Sequence, residues 1–176
     1  MARTLLLMAA GILLAAGASG QTEPFKTAGA PVGPDNPRNS EAAIVPLKDG
    51  SLLLGWTEFY AGNGADHGPA RIPGLVSRDG GRTWTRMKPT PIQGYPPHLI
   101  RLNSGKVLTV YGRRIQAFGE YACLSDDQGR TWDVAHEIKL AGNFNGDLGY
   151  PASVELPDGS ILTVYYQSEK RVRKPV

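Results

Sequence analysis

The sequence predicts an all-β chain assembled from repeated small antiparallel sheets, the blades of a β-propeller. Three observations carry this. An eight-residue phrase occurs twice, SRDGGRTW at residues 77–84 and SDDQGRTW at 125–132, both fitting Ser-x-Asp-x-Gly-x-Thr-Trp. Self-similarity at ~40–50 residues is the mark of a propeller-type array in which each repeat is one small sheet. Three hairpin patterns recur in step with it: AIVPLKDGSLLLGW, HLIRLNSGKVLTVY and ASVELPDGSILTVY, with turn glycines at Gly50, Gly105 and Gly159. Glycine accepts the positive φ of a tight turn without a Cβ clash. Beyond residue 20 no stretch shows the 3.6-residue period of an amphipathic helix.

The elements follow in order. The first unit is expected to hold an inner strand at Ile44–Leu47, a turn at Asp49-Gly50, and a second strand at Leu52–Phe59. A loop of Gly, Asp and Pro leads to a third strand at Leu75–Ser77, and after the repeated phrase a last strand begins near Trp84. That is a four-stranded blade. The second unit repeats it with Leu99–Leu102, Val107–Tyr111, Tyr121–Leu124 and Val134–Lys139, and the third contains only the first hairpin. The second strand of each unit is apolar at nearly every position, as expected for a strand covered on both faces.

The repeated phrase reads as a structural turn. Asp79 and Asp127 are placed to accept hydrogen bonds from N–H groups two residues on, as in an Asx turn. Gly81 and Gly129 stand where positive φ is required, and Trp84 and Trp132 return apolar surface to the blade. Ser77, Thr83, Ser125 and Thr131 complete the two motifs. A calcium-loop reading of Asp126-Asp127-Gln128-Gly129 fails for want of alternating ligands and a closing Glu.

Composition narrows the function classes. The chain has 176 residues with 22 glycines and 14 prolines. Net charge is +3, pI is near 9.1 and mean hydropathy is −0.25. Arg3, the apolar run Leu5–Ala16 and Ala18-Ser19-Gly20 form a signal-peptide pattern over residues 1–20, too short to span a bilayer of ~30 Å as a helix. A retained membrane anchor is the competing reading. A secreted or periplasmic chain with no stable membrane anchor is therefore expected, with a linker over 21–35, blades over 36–167 and a basic tail over 168–176. That tail has no interleaved aromatic residues, so no nucleic-acid partner is expected. Cys123 is the only cysteine. It reads as a small buried hydrophobe and excludes an internal disulfide or a cysteine-based metal site. No metal and no cofactor are expected.

The doubled motif resembles the Asp box (BNR repeat) of the sialidase, or neuraminidase, superfamily, and the likeness extends over residues 36–167. The resemblance implies a six-bladed propeller of which about two and a half blades are present, with the box away from the active site. It implies exo-α-sialidase chemistry: a Tyr nucleophile helped by a Glu, an Asp acid/base, and three arginines gripping the sugar carboxylate by bidentate pairing. Matched singly, Arg38 resembles the first arginine, Asp66 the acid/base and Tyr150 the nucleophile. Arg113 and Arg114 follow a buried strand and are candidate carboxylate ligands. Arg71-Ile72-Pro73 has a family-like sequence but follows the second strand and is discounted. A solvated loop Arg, a turn-forming Asp and a packed strand-start Tyr are the bland alternatives. No Glu suitable to activate Tyr150 is evident.

Two functional readings follow. One is a secreted sialidase-like glycosidase acting on a sialoside or another acidic sugar. The other is a non-catalytic propeller piece that binds carbohydrate or protein, or self-associates through open blade edges.

Overall fold

The computed structural model of the chain describes residues 32–87 and 89–168. The expected signal peptide, most of the linker and the basic tail beyond Ser168 lie outside the described residues. The first sheet contains β1 (Arg38–Pro46), β2 (Leu52–Phe59), β3 (Ala70–Arg71), β4 (Gly74–Ser77) and β5 (Thr85–Arg86). Its order is β1-β2-β4-β5, with β3 added at the far end of β2. The second sheet runs in the order β6 (Pro97–Arg101), β7 (Val107–Arg113), β8 (Gly119–Ser125) and β9 (Ile138–Gly142). The third is a hairpin of β10 (Leu148–Glu155) and β11 (Ile161–Gln167). All pairings are antiparallel, which gives two complete blades and the first hairpin of a third.

Register sorts the functional segments onto two ends. Pro46 pairs with Leu52, and Leu52 pairs with Ser77, so the hairpin turn and the Asp box share one end of the blade. Arg38 pairs with Phe59 at the other end, where the loop of residues 60–69 follows.

The main core lies between the first two sheets. Leu47, Leu53, Ile72 and Leu99 pack there with Val107, Tyr111, Tyr121, Cys123 and Trp132. Burying each large apolar side chain contributes roughly 1.5–3 kcal/mol relative to exposure. The opposite face of the second sheet, with Leu108, Val110 and Ala122, is the one turned toward β10. Cys123 is fully buried, as read from sequence, and burial pushes its thiol up to about 11.

Three expectations are corrected. The inner strand of the first unit starts at Arg38 rather than Ile44, because Arg38–Ser40 continue the ladder with Thr57–Phe59 across a bulge at Ser40/Ala42. The last strand of the second unit does not begin at Val134. Val134–His136 form a 3-10 turn, with the Asp133 carboxylate on His136 Nδ1, and the strand starts at Ile138 opposite Ala122. The apolar strand of the third unit is not covered on both faces. Leu162 and Val164 are 51% and 59% exposed, and among the described residues β11 pairs only with β10.

The boxes form the expected turns with a different hydrogen-bond spacing. Asp79 Oδ1 accepts from the backbone N–H groups of Arg82 and Thr83, three and four residues on, and Oδ2 accepts from the Thr83 hydroxyl. Asp127 likewise takes the N–H and hydroxyl of Thr131. The Ser77 and Ser125 hydroxyls donate to these carboxylates and accept the N–H of Gly81 and Gly129. Gly129 has φ +82°, and a Cβ there would stand 2.6 Å from Leu53 Cδ2 of the first sheet. Gln128 completes the join between blades, accepting from Lys48 N–H and donating to the Gly105 carbonyl. The second box therefore fastens one blade to the next.

Candidate active site

The starts of the inner strands β1 and β10, and the loops beside them, gather the chemistry-bearing side chains at the end opposite the boxes. Arg38, the first residue of β1, stacks over the Phe59 ring at 4.7 Å and donates through Nη1 to Asp66 Oδ1 at 2.5 Å and to the Gly64 carbonyl. That hydrogen bond and the guanidinium charge hold the Asp66 carboxyl below its usual range. The Asp66 loop is anchored from beneath by the Tyr95 hydroxyl, which donates to the carbonyls of Asp66 and Gly68. Tyr95 in turn meets Phe59 edge-on at 5.3 Å.

Arg114 links this cluster to the third unit. Its guanidinium lies 5.3 Å from the Tyr95 ring and 5.5 Å from the Tyr150 ring, and Nε donates to the Leu148 carbonyl. Tyr150 sits in the bulge between Gly149 and Ala152, with φ +54°. A bulge re-aims a side chain, and positive φ at a non-glycine residue is strain of the kind stored at functional sites. Tyr150 is 55% exposed and lies 6.0 Å from Tyr166, whose hydroxyl bonds Asp147. Beside these strands is a cavity of about 280 Å³ lined by residues of β1 (41–44), β6 and its approach (96–99) and β10 (150–151).

Glu120 is the residue that sequence reasoning missed. It is fully buried at the start of β8, and neither carboxylate oxygen has a hydrogen-bond partner. Burial raises its pKa to about 7, against the pull of Arg114. The available signal was an acidic residue set among apolar neighbours in Gly119-Glu120-Tyr121.

The structure brings Arg38, Asp66 and Tyr150 to one end of the blades. Arg113 is engaged elsewhere: it pairs with Glu137, which also takes the Tyr111 hydroxyl, and stacks on Tyr121 at 4.1 Å. Of the two neighbouring arginines, Arg114 is the one beside Tyr150. Arg71, discounted from sequence, joins Arg86 in clamping the buried Glu58. His67 is exposed. Among the described residues no group of three or more His, Cys, Asp or Glu side chains is placed to hold a metal ion.

No protein-family model and no curated protein matches the chain. Solved structures do. The chain is similar to a protein of unknown function from Dyadobacter fermentans, at 29% identity and a TM-score of 0.63, over 82% of this chain and 38% of that one. It is similar to the GH93 α-L-arabinofuranosidase of Fusarium graminearum in complex with arabinobiose, at 21% identity and TM-score 0.60, over 76% of this chain and 42% of that one. It is similar also to the Penicillium chrysogenum α-L-arabinanase complexed with arabinobiose, at 18% identity and TM-score 0.58, over 76% and 47%. The chain spans less than half of each of these structures, and at such identities the last two establish a shared propeller fold, one that glycoside hydrolases use.

Proposed function

We propose that the chain carries part of a carbohydrate site of glycoside-hydrolase type, with Asp66 as acid/base and Tyr150 as nucleophile toward a terminal sugar. The observation that supports this is the gathering of Arg38, Asp66, Arg114 and Tyr150 at the end of the blades opposite the boxes, with Tyr150 held in a strained bulge. In the free chain Asp66 is an ionised partner of Arg38, so it takes up a proton readily only when a ligand draws Arg38 away. The finer reading, exo-α-sialidase activity, comes from the Asp-box resemblance and asks for three arginines. The described mouth offers Arg38 and Arg114.

The test is release of a fluorescent leaving group from an α-sialoside and from an α-L-arabinofuranoside by the purified chain. Activity that falls at least ~10²-fold in both Tyr150→Phe and Asp66→Asn is the expected result for residues in these roles. Turnover unchanged by both substitutions would remove them from the mechanism.

A second reading, a non-catalytic binding piece that associates with other copies, is favoured by β11. Its outer edge is unpaired among the described residues and its faces carry Leu162, Val164 and Tyr166 exposed. Light scattering on the eluting chain distinguishes the two, since a monomer across the micromolar range is incompatible with assembly through this edge.

A further inference from the structure

The cavity beside the inner strands contains two side chains to which the proposed chemistry gives no role, Glu41 of β1 and His98 of β6, together with Tyr150. His98 Nδ1 accepts the Ser153 backbone N–H at 3.1 Å, so the ring proton sits on Nε2. Burial lowers the His98 pKa, which keeps the ring neutral at pH 7. Glu41 Oε2 accepts the Ser40 hydroxyl at 2.5 Å. The cavity lining therefore includes a neutral imidazole with its proton on Nε2, a carboxylate acceptor and a half-exposed tyrosine. A ring bearing hydroxyl groups on an apolar C–H face uses all three, in the usual pattern of a mostly apolar site with a few polar groups fixing orientation.

Charge decides which sugar. Among the residues lining the cavity, Glu41 carries the one full charge, and no arginine or lysine is present. Arg38 is already committed to Asp66, and Arg114 to the Leu148 carbonyl. A sugar carboxylate entering here meets the Glu41 carboxylate and no cationic side chain in the lining.

We propose that the cavity between β1, β6 and β10 is a subsite for an uncharged sugar ring, set beside Tyr150 and hydrogen-bonded by Glu41 and His98. The proposal rests on the carbohydrate reading above and changes its substrate class from acidic to neutral sugar. The experiment is ligand-observed NMR titration of the full chain with uncharged disaccharides (arabinobiose, lactose, cellobiose) and with N-acetylneuraminic acid. At least one uncharged disaccharide should bind, about ten-fold more tightly than the acid at low salt. Glu41→Gln and His98→Ala, each checked for native circular dichroism, should weaken that binding at least five-fold, while Asp126→Ala at the box end should not. Glu41→Gln should also narrow the preference against the acid. Tighter binding of N-acetylneuraminic acid than of every uncharged sugar overturns the proposal and leaves the carbohydrate reading standing. Unchanged disaccharide affinity in both single variants also overturns it, and binding of no sugar at all overturns both.

Discussion

Glu120→Gln should stabilise the chain by about 2–3 kcal/mol at pH 8 and by almost nothing at pH 4. Glu120 is buried with two unpartnered oxygens, and its pKa is raised from the ordinary 4.5 to about 7. Below the unfolded value the carboxyl is protonated in both states, and the neutral acid sits in the core without an ionisation cost. Between the two values only the folded chain holds the proton. The stability that goes with the neutral form is therefore lost as pH rises from about 4.5 through about 7. A tenfold change in proton affinity corresponds to about 1.4 kcal/mol, so the full loss is roughly 3 kcal/mol, reduced by whatever relaxation lets water reach the ionised group. Glutamine has nearly the same shape and never ionises, so its stability stays flat across that window. Urea unfolding of both chains at pH 4, 6 and 8 measures the difference. Parallel profiles would mean that Glu120 does not titrate in the folded chain. Because Arg114 is the cation nearest in effect to Glu120 and also touches Tyr150, ionisation of Glu120 competes for the guanidinium that borders the proposed site.

The strand framework was legible because it rests on local signals. Leu52–Phe59 forms β2 over the expected span, and the three Gly-terminated turns fall between paired strands. Gly81 and Gly129 have the positive φ their turns call for. What was not legible depends on neighbours distant in sequence. The apolar pattern of Ile161–Gln167 matches that of Val107–Arg113, yet only the latter is buried, because burial of a strand belongs to the sheets beside it. Arg113 and Arg114 are adjacent and chemically alike. One step along the chain turns Arg113 onto Tyr121 and Glu137, while Arg114 reaches Tyr95 and Tyr150 across the sheet interface. Arg38, Asp66 and Tyr150 could be named singly from a resemblance. The Arg38–Asp66 pair joins residues far apart in the chain, and the bulge at Tyr150 is set by how β10 lies against β11, so neither is written in a local pattern.

Asp127→Ala should cost about 2 kcal/mol of folding stability, and Asp126→Ala next to it should cost almost nothing. The Asp127 carboxylate accepts the Thr131 N–H at 2.8 Å, the Thr131 hydroxyl at 2.7 Å and the Ser125 hydroxyl at 2.9 Å. Hydrogen bonds to a charged group are worth roughly 1.5–3 kcal/mol, and Ser125, which is buried, would lose the acceptor for its proton. Asp126 is exposed and makes a surface pair with Lys106, of a kind that contributes ~0–1 kcal/mol. Burial pushes the Asp127 carboxyl up, but the Thr131 and Ser125 donors outweigh it and the pKa is lowered. The stabilisation is thus present above the ordinary carboxylate pKa and disappears as pH falls through the lowered folded value, so the gap between wild type and Asp127→Ala closes in acid. Asp127→Asn keeps one acceptor oxygen and should fall between the two. Gln128 and Gly129 of the same turn rest on Lys48 and Leu53 of the preceding blade, so loosening this turn also loosens the join between blades. That join lies between the blades of β1 and β6, two of the strands that line the proposed sugar subsite. Asp127→Ala should accordingly leave sugar affinity intact at temperatures where the chain stays folded, and lose it together with the circular-dichroism signal as the chain melts. Loss of affinity well below the melting transition would show that the box acts on the site directly.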